Sequence, residues 1–456
     1  MNDKLPPFGL DTREECVHTT DGIPVFRLAN PALHSFCLCM YVRAGSMFEA
    51  AEENGITHFL EHLVFRSVNR QMKGELYRTL DRYGLSFEGV TYREFVRFSI
   101  TGAPKHFRTA MRILLRILSP LSLTAEDLRT ERARVKAEIR EDGERTTLDC
   151  FAESILFADT TLALPITGRA ETLDRMSLTK LKARHRELFS AQNLFFYLSG
   201  NLTENDMDSF CSMLDDYRTD TSVPRRENLA PVSQGFFKRG GAVAVKNSRH
   251  HLVRISADID LSRVKDAPLS LLYDILFGEG EECRMHQALS EKTGYIYSFR
   301  ASMELYRNVG TVSFLYEIPP AKLVDSIRIA LGVLTAIKHS AEDALPFVRA
   351  SYTENAAFVL DSDTELNWLR AYEGQILSLP YRTVAERAEA YAAVSAEEIS
   401  ATARTIFTPS NMLIALKGDR RRIPVEQIRA LLAEMGEPIV RTDDGEQQYT
   451  DMAQDE

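Results

Sequence analysis

The chain has 456 residues, 44% hydrophobic and 26% charged, with 55 Lys+Arg against 65 Asp+Glu. That composition excludes a disordered chain, a fibrous protein and a small disulfide scaffold, and the net charge of -10 argues against nucleic acid as a partner, because neutralising phosphates takes clustered Lys and Arg. No apolar run reaches the roughly 18 residues that a membrane helix needs, so no membrane partner is expected. The start, Met1 to Pro7, reads as neither a signal nor a transit peptide, which makes the cytoplasm the expected compartment.

Taken in chain order, Gly22 to Leu28 and Ser35 to Arg43 are strand-like, and Gly45-Ser46 breaks the chain. Residues 55–66 and 72–83 carry helical periodicity, the second stopped by Gly84. Phe87 to Thr101 reads as a hairpin, followed by long helices over Lys105 to Leu118 and Ala125 to Arg140. Strands and helices mix without regular βαβ alternation, which predicts an α+β fold. The six cysteines, Cys16, Cys37, Cys39, Cys150, Cys211 and Cys283, form no CxxC pair. Cys37 and Cys39 alternate on one face of a strand and read as small buried hydrophobes.

An internal repeat organises the chain. Residues 176–200 and 394–418 correspond at a constant offset of 218, with Ser177 matching Ser395, Phe189 matching Phe407, Asn193 matching Asn411 and Gly200 matching Gly418. Each copy reads as helix, turn and apolar strand. The expected organisation is therefore a first half over 1–216, a linker over 217–240 rich in Arg, Thr, Ser, Asn and Pro, a homologous half over 241–440, and an acidic tail over 441–456 expected to be disordered.

The chemistry concentrates in Gly55-Ile56-Thr57-His58-Phe59-Leu60-Glu61-His62-Leu63-Val64-Phe65. On a helix, His58 and His62, four apart, project from one face, and Glu61 shares it. Two neutral imidazoles at this spacing can supply two of the three protein ligands of a catalytic Zn²⁺, with Glu61 beside the open position as general base. The order H-x-x-E-H is that of the inverted zinc-peptidase motif, the inverzincins. Ordinary core histidines are the competing reading, but a buried His-Glu-His cluster among Phe59, Leu60, Leu63, Val64 and Phe65 would be costly to desolvate without a metal. The third ligand is left open by pattern alone. The helix from Ala125 offers Glu126, Glu131, Glu138, Glu141 and Glu144, and Glu131 and Glu138, seven apart, lie on one face. His250-His251, adjacent at a strand start, point to opposite faces and make a poor ligand pair.

With Ala44-Gly45-Ser46-Met47-Phe48-Glu49 before it, the His58–Phe65 stretch resembles the pitrilysin/insulinase family of zinc metallopeptidases, in the half-length form that includes the catalytic subunit of mitochondrial processing peptidase and bacterial relatives. In that family the third ligand is a Glu about 76 residues after the second His, within an E-x(6)-E pair. The resemblance thus implies that Glu138 joins His58 and His62 on one Zn²⁺ per chain, and that Glu131 supports the site without touching the metal. It implies two homologous halves, each a mixed or antiparallel sheet covered by helices, that enclose a cavity on dimerisation. It also implies a zinc metalloendopeptidase hydrolysing short or unfolded peptides, with water activated by the metal and Glu61.

Three departures from the family pattern qualify this. Glu88 and Gly89 stand where the family's substrate-presenting strand usually has Asn and Ala, and two readings are open: an acidic group there that favours a basic substrate residue, or a surface change without consequence. The second half has no H-x-x-E-H and should bind no zinc. Of the family's substrate-clamping Arg-x(6)-Tyr pair, Tyr297 is present but Ser290 replaces the Arg, which Ser cannot imitate; Arg284 is a doubtful substitute. The missing Arg points to a heterodimer with a zinc-less homologous subunit carrying the pair, with a homodimer as the alternative. Two other functions compete: dedicated removal of a leader or targeting peptide with a sister subunit, and a non-catalytic assembly subunit of the same fold.

Overall fold

In Phe36-Cys37-Leu38-Cys39-Met40-Tyr41-Val42 every side chain is apolar or aromatic or a thiol, so a strand made of it must be covered on both faces. The computed structural model shows this strand buried throughout; it describes residues 13–145, 147–217, 219–227, 230–232, 240–249, 251–278, 280–350, 371–379 and 384–435. The tail expected over 441–456 and His250 lie outside these residues.

The first sheet contains β1 (Arg13–His18), β2 (Pro24–Ala29), β3 (Phe36–Val42), β4 (Ser86–Thr91), β5 (Val96–Gly102) and β6 (Leu194–Gly200) in the order β1-β2-β6-β3-β5-β4. Only β2 and β6 run parallel. Phe36, Leu38, Met40 and Val42 face a helical layer made of α1 (Ile56–Gln71), α2 (Leu76–Tyr83), α3 (Phe107–Leu115), α4 (Ala125–Arg145), α6 (Ala170–Asp174), α7 (Leu178–Leu188) and α8 (Glu204–Asp215). Cys37, Cys39 and Tyr41 face the other way, with Phe26, Phe195, Tyr197 and Ile376. There the Tyr41 and Phe195 rings stack at 4.8 Å. All six cysteines are free thiols, and Cys37 and Cys39 share a face as their spacing predicts.

The second sheet holds, among the described residues, β7 (Ala242–Asn247), β8 (Leu252–Asp260), β9 (Arg300–Leu305), β10 (Val309–Glu317) and β11 (Met412–Gly418) in the order β7-β11-β8-β10-β9. Only β7 and β11 are parallel. Setting β1 aside, the two sheets have the same order and the same single parallel pair. The helices α9 (Asp266–Phe277), α10 (Arg284–His286), α11 (Leu323–His339), α12 (Val384–Ala392), α13 (Ala396–Ile406) and α14 (Val425–Ala433) accompany it. The repeat is exact in structure. Helices α7 and α13, the turns Ala191–Asn193 and Pro409–Asn411, and strands β6 and β11 all differ by 218 in number. Ser177 caps α7 by accepting from Lys180 N, and Ser395 caps α13 by accepting from Glu398 N.

The described residues pack as two compact units, one drawn from 1–145, 164–229 and 355–384, the other from 146–163, 230–354 and 385–456. Neither unit is continuous in sequence. Helix α5 (Thr147–Leu156) packs on β11, β8 and β7. It is held there because the buried Arg254 on β8 pairs with Asp149 at 2.6 Å and Glu153 at 3.4 Å. In the first unit, the segment around Gln375 is fastened to the residue that follows β3, the buried Arg43, which donates to Gln375 Oε1 at 2.8 Å.

Candidate metal centre

Helix α1 forms because Ile56, Phe59, Leu60, Leu63, Val64 and Val68 recur at i, i+3, i+4 spacing and are all buried against the sheet. That leaves His58, His62 and Arg66 on the flank that meets α4, and Glu61 against β4. Helix α4 starts at a reciprocal cap, in which Thr124 N donates to Asp127 and Asp127 N donates to Thr124 Oγ1. It is fixed by Arg132, whose guanidinium donates to Leu173 O at 3.0 Å and Met176 O at 2.7 Å, and by Lys136 on Asp174.

The two helices bring three donors to one point. Glu138 lies 3.5 Å from His58 Nε2 through one oxygen and 3.3 Å from His62 Nε2 through the other. One atom from each of His58, His62 and Glu138 falls within 4.8 Å of the others, and no second such group occurs among the described residues. Metal–ligand bonds of about 2.1 Å in a tetrahedron have edges of about 3.4 Å, so this donor set fits a zinc ion in spacing and in chemistry. The imidazoles hold the Glu138 carboxyl well below the usual carboxylate range, keeping it ionised as a ligand must be. Burial would lower the His62 pKa, but the hydrogen bond to Glu138 and the charge of Glu61 outweigh it and the net shift is upward.

Glu61 is buried beside this group. Burial raises its carboxyl pKa, partly opposed by His58 and His62 and assisted by Glu138. Thr91 Oγ1 on β4 donates to Glu61 Oε2 at 3.5 Å. Gly89, the residue facing the same way, leaves the room Glu61 occupies: a Cβ there would meet Glu61 Oε1 at 2.6 Å and Phe65 at 2.8 Å. Glu88, next to it, is exposed on β4, one of the two edge strands of the sheet among the described residues. Glu131 is 2% exposed and is not one of the three grouped donors; its Oε1 lies 3.0 Å from Arg66 Nε and 3.6 Å from Arg134. Its other oxygen has no hydrogen-bond partner among the described residues, and its charge helps raise the His62 pKa.

The sequence profile of Insulinase (Peptidase family M16) matches residues 27–169, and that of the Peptidase M16 inactive domain matches residues 175–345. The chain belongs to the insulinase family of peptidases. An uncharacterized zinc protease of Mycobacterium tuberculosis is 23% identical over 428 residues, covering 90% of this chain and 95% of that one. Among solved structures, the first half of the periplasmic protease PqqL from Escherichia coli superposes with a TM-score of 0.75 at 13% identity, covering 95% of this chain and 98% of that fragment. Against whole PqqL this insulinase-family chain spans 51% of the length. A chain of complex III2 from Candida albicans matches as well, with a TM-score of 0.75 at 13% identity over 92% of this chain and 99% of that one. At such identities these structures share the fold. No helix among the described residues is long and apolar enough to cross a membrane.

Tyr297 lies in the second unit and is 94% exposed. Its neighbour Tyr295 is tied down by a 2.7 Å hydrogen bond to Asp325. Arg284 is engaged within that unit by Asp343 and Ser340 O. Three residues near the donors were not singled out from sequence: Thr91, Arg66 and Glu49. Glu49 stood in the Ala44–Glu49 stretch of the family resemblance, which is the signal that could have found it.

Proposed function

We propose that this insulinase-family chain is a zinc metalloendopeptidase that hydrolyses bonds in short or unfolded peptides. The observation that carries the reading is the convergence of His58, His62 and Glu138 beside a buried, pKa-raised Glu61. One zinc ion per chain, held by those three donors, would supply a Lewis acid that polarises the scissile carbonyl and acidifies water. Glu61 takes the proton from the attacking water on its carboxylate and returns it to the leaving amine nitrogen; its raised pKa suits it to hold that proton between the steps. Thr91 holds one Glu61 oxygen, leaving the other for water. Glu131, paired with Arg66 one turn after His62, supports the centre through its charge and that pairing without touching the metal. The substrate adds as an extended strand along the outer edge of β4, which no described strand pairs with, past Gly89, with Glu88 favouring a basic side chain. Tyr297, exposed and unburdened by the contacts that hold Tyr295, is a substrate contact.

A homologous partner chain is part of the proposal. Ser290 stands where a clamping Arg is usual and Arg284 is taken up by Asp343, so the cation is supplied by a zinc-less sister subunit, with a second copy of this chain as the alternative. The cytoplasm is the proposed compartment. The complete donor set with its base favours a peptidase over an assembly subunit of the same fold. General peptide degradation is proposed over dedicated removal of a leader or targeting peptide, because an open strand edge reads backbone rather than sequence. The test is cleavage of unstructured peptides by the zinc-loaded protein, read by mass spectrometry. Products lost on chelation and restored by zinc are expected, and cleavage indifferent to chelation would contradict the proposal.

A further inference from the structure

His58 is the third residue of α1, inside the first turn, where backbone N–H groups have no intrahelical acceptor. Such a turn is ordinarily secured by a Ser, Thr, Asp or Asn side chain at the residue before the helix. That residue here is Gly55, with φ of +89° and no side chain to offer. Nothing larger fits: a Cβ on Gly55 would come within 2.6 Å of Gly168 Cα, and one on Gly168 within 2.5 Å of Gly55 Cα. The close backbone crossing that seats α1 thus removes its ordinary cap.

We propose that Glu49 is the positioning residue that replaces this cap and so holds His58 in place for the metal. Its carboxylate, 4% exposed, accepts from Gly55 N at 2.7 Å on Oε2 and from Thr57 N at 2.9 Å on Oε1. Asn54 Nδ2 donates to the same Oε2 at 3.1 Å and to Pro165 O at 2.9 Å, and Thr172 Oγ1 donates to Asn54 O at 2.7 Å. Glu49 therefore links the first turn of α1 to the loop crossing at Gly168. A carboxylate at this end also complements the helix dipole. His62 lies a turn further on, where intrahelical bonds already hold the backbone, so Glu49 acts on His58 and not on His62. The inference rests on the reading of His58 as a zinc ligand.

The experiment is a double-mutant cycle on the full chain, with zinc affinity read by chelator competition and amide exchange read at Gly55 and Thr57. Glu49→Gln keeps the shape but opposes an NH₂ to one of the amides. It is expected to weaken zinc about 10- to 100-fold and to speed exchange at both amides at least tenfold. In a His58→Ala background the same substitution is expected to change zinc affinity less than about twofold, because the ligand it positions is gone. Unchanged affinity, or an equal loss in both backgrounds, overturns the proposal. If Glu49→Gln does not fold, Glu49→Asp keeps the charge but is too short to span both amides. It is expected to lose several-fold in affinity, and an unchanged value overturns the proposal equally. A wild-type chain that takes up no zinc overturns the metal reading beneath this one, and amide exchange in Glu49→Gln then separately reports whether the cap exists.

Discussion

Helices α1 and α9 occupy the same place in the two sheets' plans, each following the strand that pairs with β5 or β10, yet they are built from different material. Helix α9 turns Leu269, Leu271, Leu272, Ile275, Leu276 and Phe277 inward and carries no ligand-type side chain on that face. Helix α1 buries a similar apolar row but adds His58 and Glu61 to its buried set, and α4 brings the buried Glu131 alongside. Buried charges and imidazoles cost desolvation that leucines do not. The first sheet's helix carries that cost and, on the reading proposed above, gains a metal centre for it; the buried face of α9 has only apolar packing to offer. The difference shows that the fold supplies a place for the chemistry and that a handful of side chains decides whether any is done there.

The substitution expected to break this asymmetry most sharply is in the first half's donors. His62→Ala should take zinc content, measured by atomic absorption on the purified chain, from one equivalent to near none, whereas a residual equivalent would place a second centre in the second half. Next, Leu272→Ala in α9 should cost about 2–5 kcal/mol of stability in urea unfolding while leaving zinc affinity unchanged, because that helix only packs. Glu131→Gln should lower zinc affinity or turnover about 10- to 100-fold with little change in Tm; a large Tm loss instead would make Glu131 a packing group.

The smallest effect concerns pH. His185 on α7 is buried, stacks on Phe189 and contacts Ile117 O through Nε2 at 3.0 Å, and burial depresses its pKa to about 4. A depressed folded-state pKa means that the unfolded chain binds the proton first, so stability is full above pH 6.5 and falls as pH drops toward 4. Between pH 6.5 and 5.5 the loss should be about 1 kcal/mol, and His185→Gln should flatten that slope.

Much of this was legible in the residues. The H-x-x-E-H spacing and the apolar rows of α1 are local signals, and the offset of 218 picked out two stretches, 176–200 and 394–418, whose helix, turn and strand correspond residue for residue in the structure. The order of the sheets was not legible, nor was the placement of α5 with the second unit and of the Gln375 segment with the first. Periodicity says that a helix has an apolar face and is silent about which sheet it covers. Glu131 and Glu138 could not be separated by pattern, since both lie on one face of α4; their roles divide only in three dimensions, one beside the imidazoles and the other beside Arg66. Glu49 escaped because a cap is sought at the residue before a helix, and here it comes from six residues upstream of Gly55.

The central claim is that His58, His62 and Glu138 hold a zinc ion for which Glu61 serves as the base. The most direct measurement compares zinc-loaded wild type with Glu61→Gln on a mixture of unstructured peptides, each purified with any homologous chain that accompanies it. The account predicts equal zinc content and equal Tm, with cleavage reduced about 10²- to 10⁴-fold in the variant. Equal cleavage by both, or zinc-loaded wild type that leaves every peptide intact, would contradict it.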